Sequence, residues 1–218
     1  MSNQKALLIL NGELDLDKKK VNNIVKDIEI DRIIAVDGGA NKARNLELLP
    51  DLIIGDLDSI TEKTREYYAE ENIEVIKYPV EKDKTDSEIA VDYCLKNGIK
   101  ELYLTAALGG RIDQQLANLN LLEYSWELNL KSRIISNRIE IALVEDQKKF
   151  TNKKGFRLSL IPQTKSVKKL TITGCKYNLE ARDINRSQSR GISNLIESEE
   201  AKISLEKGLL FYVLEKIK

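Results

Sequence analysis

Short apolar runs alternate with stretches of helical spacing through the first half of the chain. The runs at 6–10, 32–36, 51–54, 74–78 and 101–106 are each too short for a helix and rich in Ile, Leu and Val, so they read as strands. Between them, 16–28, 40–48, 61–70, 86–96 and 113–127 carry charges with apolar residues three and four apart and read as helices. The punctuation agrees. Pro50 and Pro79 break the pattern, Ser59 or Thr61 can cap the third helix, and Asn97-Gly98 closes the fourth. A sixth strand is expected at 133–136. Strand–helix alternation implies right-handed crossovers and a mainly parallel sheet, an α/β domain.

The second half changes period. The segment 148–155 is charged and turn-like. After it, short alternating runs occur at 156–161, 169–173, 178–182, 191–196, 202–205 and 208–214, with no helical stretch between them. Regularly spaced short strands imply an antiparallel sandwich or barrel. The boundary falls near residue 136, giving expected domains of 1–135 and 136–218.

Composition narrows the chemistry. The chain is 42% apolar, enough for a buried core, and its 35 basic residues balance its 35 acidic ones. A sequence-independent nucleic-acid binder normally has a basic excess, so no nucleic-acid partner is expected. No stretch approaches the ~18 apolar residues of a membrane span, and 6–10 is too short for a signal-peptide core. Cys94 and Cys175 are far apart in no metal-ligand spacing and read as reduced thiols, Cys94 within a helix core; a cytoplasmic location follows. The chain has no histidine, which removes His-ligated zinc and every His-based catalytic triad.

Four segments carry aspartate after or between the predicted elements: Asp37-Gly38-Gly39, Gly55-Asp56-Leu57-Asp58-Ser59, Asp83-Lys84-Thr85-Asp86 and Gly109-Gly110-Arg111-Ile112-Asp113. Loops after parallel strands are where open α/β sheets place ligands. Carboxylates meeting there repel one another unless a cation lies between them, and carboxylates with glycines suit Mg²⁺ and phosphate. Each segment also has a bland reading. Asp56 and Asp58 can sit in a solvated turn that caps the next helix. Asp-Gly at 37–38 is an ordinary turn dipeptide. Asp83 or Thr85 caps a helix with Asp86 or Glu88 in its first turn, and this reading is favoured for Asp83 and Thr85. Asp113 can cap a helix, while Arg111 can take phosphate charge bidentately. No dinucleotide fingerprint or P-loop is present. Tyr67, Tyr68, Tyr93, Tyr103 and Trp126 read as packing residues.

The order and spacing of the four motifs, Asp37-Gly38-Gly39-Ala40-Asn41 the first, resemble those of the thiamine pyrophosphokinase family. Gly174-Cys175-Lys176-Tyr177-Asn178-Leu179 and Gly191-Ile192-Ser193-Asn194 look like that family's thiamine-domain segments. The resemblance spans nearly the whole chain. It implies a Rossmann-like α/β catalytic domain, a C-terminal antiparallel β-sandwich and a homodimer. It further implies transfer of pyrophosphate from ATP to the thiamine hydroxyl, giving thiamine diphosphate and AMP. By resemblance, Asp56, Asp58, Asp86 and Asp113 hold Mg²⁺ and the ATP phosphates, with Arg111 beside them. Asp37, Gly38, Gly39, Asn41, Gly109, Gly110 and Gln114 flank the nucleotide. Ser193 and Asn194 line a thiamine site where two subunits meet. Many bacterial members carry His where this chain has Gln114, so an imidazole base there is excluded. An aromatic often follows the Ser-Asn pair, where this chain has Leu195 and Ile196.

Two other functions compete. A pyrophosphokinase for another hydroxymethyl heterocycle, such as a pterin, would share the nucleotide half. A non-catalytic thiamine diphosphate sensor need not keep every metal-facing carboxylate, yet all four are present.

Overall fold

The computed structural model describes residues 4–79 and 83–217. Two compact units divide the chain between Asn137 and Arg138. In the first, strands β1 (Gln4–Ile9), β2 (Arg32–Val36), β3 (Leu52–Gly55), β4 (Glu74–Lys77), β5 (Ile99–Thr105) and β6 (Lys131–Ile135) alternate with helices. The helices are α1 (Lys18–Ile28), α2 (Gly39–Asn45), α3 (Glu62–Glu70), α4 (Asp86–Lys96) and α5 (Ile112–Glu127).

The strands pair in parallel in the order β6-β5-β1-β2-β3-β4, with Leu8 opposite both Ile34 and Leu104. The inner strands are apolar along their length because helices cover both faces of a parallel sheet. Leu52, Ile53 and Ile54 are all buried, as are Ala6 to Leu10. Successive strands run outward from β1 to β4, and the chain then returns to β5 on the other side of β1. The switch point therefore lies between β1 and β5, where such sheets open a crevice at their carboxyl ends.

On one face Leu7, Ile9, Ala40, Ala43, Ile53 and Tyr68 form a cluster. Tyr68 is fully buried, with its hydroxyl donating to the Leu48 carbonyl at 3.1 Å, and burial pushes its pKa up. Gly39 is required here for space. A Cβ on it would meet the Ile9 carbonyl oxygen at 1.9 Å, so α2 can start against the end of β1 only on a glycine.

The second unit is all strand among its described residues: β7 (Ile139–Val144), β8 (Gln147–Thr151), β9 (Phe156–Pro162), β10 (Ser166–Thr173), β11 (Leu179–Asn185), β12 (Asn194–Leu195), β13 (Glu200–Ser204) and β14 (Leu210–Lys216). Two antiparallel sheets, β12-β9-β14-β7 and β11-β10-β13-β8, enclose one core that includes Phe150, Leu158, Val167, Ile172, Ile203 and Tyr212. The expected antiparallel sandwich is therefore present.

Three expectations need correction. The segment read as a charged turn, 148–155, begins inside β8. Among the described residues that strand pairs only with β13, and its Phe150 alone is buried, so an edge strand with one wet face looks like a turn in sequence. The run at 191–196 forms only the two-residue strand β12, because Gly191 (φ 102°) and Ser193 (φ 60°) take left-handed backbone. Trp126, expected in the core, is 38% exposed on α5.

Candidate functional site

A cleft of about 370 Å³ opens at the carboxyl ends of the first unit's strands. Its walls come from the loop after β1 (Asn11, Gly12), the turn after β2 (Asp37), the loop after β3 (Asp56, Asp58, Ser59), the start of α4 (Thr85, Asp86, Ser87) and the loop after β5 (Gly109, Gly110, Arg111). Gln114 and Asn118 of α5 complete it. Five loops, widely separated in sequence, converge because each follows a strand of the same parallel sheet.

Asp37 stands in left-handed backbone, φ 46°, directly before α2. Its Oδ1 is buried with no hydrogen-bond partner. A buried carboxylate oxygen without a donor is costly unless something positive faces it. Carboxylate oxygens of Asp37, Asp56 and Asp58 lie within 4.8 Å of one another. Gly55 keeps the neighbourhood open: a Cβ there would lie 3.0 Å from Asp37 Cβ and 3.2 Å from Asp86 Oδ1. Asp86 thus approaches the same place from α4. Hard oxygen donors, like charges drawn together and an orphaned oxygen are a fit for Mg²⁺.

The loop after β3 is held from several sides. The Asp58 N–H donates to Asp56 Oδ1 at 3.1 Å and Ser59 Oγ donates to Asp58 Oδ1 at 2.9 Å. Arg65 donates to the Leu57 carbonyl. Asn41 does not line the cleft. Its Nδ2 donates to the Ser59 carbonyl at 2.8 Å, and its Oδ1 accepts from the Thr61 N–H at 3.0 Å.

At the far wall, Gly109 (φ 80°) and Gly110 (φ 75°) turn the chain before α5. Arg111 grips Asp113 through both Nε (3.1 Å) and Nη2 (2.5 Å). The hydrogen bond from Arg111 lowers the Asp113 pKa and raises that of Arg111 in turn. Arg111 lines the cleft; Asp113 does not. Of the two caps the sequence offers, Asp83 and Thr85, it is Thr85 that caps α4, in a reciprocal box with Glu88. Gly38 lies against the Asn11 side chain and Gly39 against the end of β1.

Ser193 and Asn194 belong to the second unit. The Ser193 N–H donates to Ser159 Oγ at 3.0 Å. Asn194 is buried: its Oδ1 accepts from the Tyr177 N–H at 3.0 Å and its Nδ2 donates to the Tyr177 carbonyl at 2.8 Å. Tyr177 itself is 63% exposed.

The sequence reading missed Asn11, Gly12, Ser87 and Asn118 as cleft residues. Asn11-Gly12 follows a strand like the other motifs but carries no carboxylate, and a search for acidic loops passes over it. Asn118 is a buried mid-helix residue whose Nδ2 donates to the Ala107 carbonyl at 2.8 Å, invisible without the fold.

Fold and site together define an α/β protein with a carboxylate-lined cleft at the carboxyl ends of its parallel strands, followed by an antiparallel sandwich. Comparison with known proteins sharpens this. Residues 26–134 match the thiamin pyrophosphokinase catalytic domain and 138–210 the thiamin pyrophosphokinase vitamin B1 binding domain. The chain is 31% identical to thiamine pyrophosphokinase of Bacillus subtilis over 83% of its own length and 85% of that protein's. It is 28% identical to thiamine pyrophosphokinase 1 of Oryza sativa, over 83% of this chain and 77% of the other. The crystal structure of thiamine pyrophosphokinase from Bacillus subtilis superposes with a TM-score of 0.85 at 25% identity, covering 99% of this chain and 100% of that one. The chain belongs to the thiamine pyrophosphokinase family, and it is a transferase of thiamine diphosphate biosynthesis. A match running through both halves does not favour the pterin or sensor readings.

Proposed function

We propose that the protein transfers an intact pyrophosphoryl group from ATP to the hydroxyl of thiamine, giving thiamine diphosphate and AMP. The observation that carries this reading is the carboxylate-lined cleft at the switch point, in a chain matched to the family along both halves. The hydroxyl oxygen of thiamine forms the bond to the β-phosphorus, the bond from that phosphorus to the α-phosphate oxygen breaks, and the hydroxyl proton passes to a carboxylate. Such transfer needs positioning and charge neutralisation more than covalent chemistry by the protein.

Asp56, Asp58 and Asp86, with Asp37, are the proposed magnesium-facing groups. Magnesium, when bound, supplies positive charge against carboxylates and phosphates. Arg111 takes phosphate charge through its guanidinium, and Asp113 has its proposed place beside that guanidinium. Gly109 and Gly110 let the backbone approach the nucleotide, with Gln114 at its edge. Ser193 and Asn194 are proposed for the thiamine side, completed in a homodimer. Among the described residues no helix is long and apolar enough to cross a membrane; a cytoplasmic setting is proposed with the reduced thiols.

The test is stoichiometry. Purified protein with ATP, Mg²⁺ and thiamine should form one AMP per thiamine diphosphate and stop in excess chelator. Release of ADP with thiamine monophosphate would overturn the pyrophosphoryl assignment. Light scattering on the same sample addresses the dimer, which a fully active monomer would rule out.

A further inference from the structure

We propose that Asn41 is a positioning residue: it straps the 56–61 loop to the first turn of α2, so that Asp37, Asp56 and Asp58 meet a divalent cation as a preformed set. The inference rests on the metal-dependent reading above. It begins from a mechanical problem. Three carboxylates whose oxygens lie within 4.8 Å repel one another when no cation is bound. Asp37 is fixed to α2, whose Ala40 N–H donates to the Asp37 carbonyl at 2.9 Å. Asp56 and Asp58 ride on a separate loop, bent at Leu57 into left-handed backbone of φ 70°. Repulsion drives this loop away from Asp37.

The side chain of Asn41 crosses that gap. Its Nδ2 donates to the Ser59 carbonyl at 2.8 Å; its Oδ1 accepts from the Thr61 N–H at 3.0 Å and from Thr61 Oγ1 at 3.2 Å. One planar group must donate and accept at once, which an amide does. Aspartate would lose the donor and add another negative charge; leucine would lose all three contacts. With donor and acceptor already engaged and no place in the cleft lining, Asn41 acts on the ligands through the loop rather than by touching them. Arg65, bonded to the Leu57 carbonyl, holds the same loop from α3.

The probe is Mn²⁺ titrated calorimetrically into protein free of nucleotide, beside the Mg²⁺ dependence of turnover. Asn41→Ala should weaken Mn²⁺ binding and raise half-saturating Mg²⁺ by about tenfold, the scale of one lost hydrogen bond network. The rate at saturating Mg²⁺ should stay within about twofold, since the ligands themselves remain. Thr61→Val keeps the backbone bond and should show the same shift at roughly two- to threefold. The double variant should bind Mn²⁺ no more weakly than Asn41→Ala alone, because the two side chains share one strap. Unaltered Mn²⁺ binding by Asn41→Ala, with a raised KM for ATP alone, would make Asn41 a nucleotide contact and overturn the proposal. If Asn41→Ala fails to fold by circular dichroism, Thr61→Val decides: unchanged Mn²⁺ affinity refutes the strap. Failure of the unsubstituted protein to bind Mn²⁺ would bring down the metal reading itself, and the strap with it.

Discussion

Asp58 shows how a single side chain can work against the fold and for the chemistry. It is exposed, it packs against little, and it faces two other carboxylates. Asp58→Asn removes one charge from that set while keeping an oxygen to accept from Ser59 Oγ. In metal-free protein the relief of repulsion should raise Tm by about one to three degrees, the scale of a small surface-charge gain in a chain of this size. Turnover should fall roughly 10²-fold, because charge facing metal and phosphate is lost. Thermal melting in chelator and a steady-state assay check the two halves. A lowered Tm with normal turnover would favour the solvated-turn reading of the motif. The two thiols play the opposite part: burial pushes Cys94 up to about 12 and Cys175 to about 11, so neither is a nucleophile at neutral pH.

At the scale of elements, α4 is anchored to the site in two ways. Its cap was legible from spacing as Asp83 or Thr85, and it is Thr85 that closes a box with Glu88. The other anchor was not. Lys84 donates to Asp92 at 2.5 Å and to the Tyr124 hydroxyl at 2.9 Å, and that hydroxyl donates to Asp92 at 2.6 Å, closing a triangle between α4 and α5. Nothing in one sequence pairs positions 84, 92 and 124 across two helices. Burial pushes the Asp92 pKa up, but the hydrogen bonds from Lys84 and Tyr124 outweigh it and the net shift is downward. A carboxyl lowered by folding stabilises above its unfolded pKa and loses that contribution as pH falls through the folded one. Asp92→Asn should therefore destabilise the protein at pH 7 by roughly 1 kcal/mol. The gap to the unsubstituted protein should close as pH drops below the ordinary carboxylate range, near 4. Denaturant melts at neutral and acid pH decide this; a pH-independent difference would mean that packing, not charge, joins the helices. The edge strand β8 was missed for the same kind of reason as the triangle: its partner β13 lies some fifty residues on.

For the whole molecule, the alternation of periods was enough to separate a parallel α/β unit from an antiparallel one. Strand order was not enough. Only the return of the chain to β5, beside β1, brings Arg111 to the cleft that Asn11, Asp37, Asp58 and Asp86 line, and no local pattern encodes that return. The acidic motifs betrayed themselves because carboxylates after strands are conspicuous; the uncharged wall at Asn11 and Asn118 did not. In the second unit, the Ser-Asn pair was visible as a motif, but what Asn194 touches was not. Its amide closes on both sides of the Tyr177 peptide, while the Tyr177 ring stands in solvent. This arrangement separates the accessibility of a side chain from that of its own backbone. In hydrogen–deuterium exchange, the Tyr177 amide should therefore be protected despite its exposed ring. Asn194→Ala should speed its exchange by roughly tenfold or more, the equivalent of one buried hydrogen bond. Rapid exchange in the unsubstituted protein would show that the 174–178 turn is not fastened in solution. If it is fastened, the ring of Tyr177 is carried on a rigid mount, and whatever meets it in solvent meets a surface whose position is set in advance.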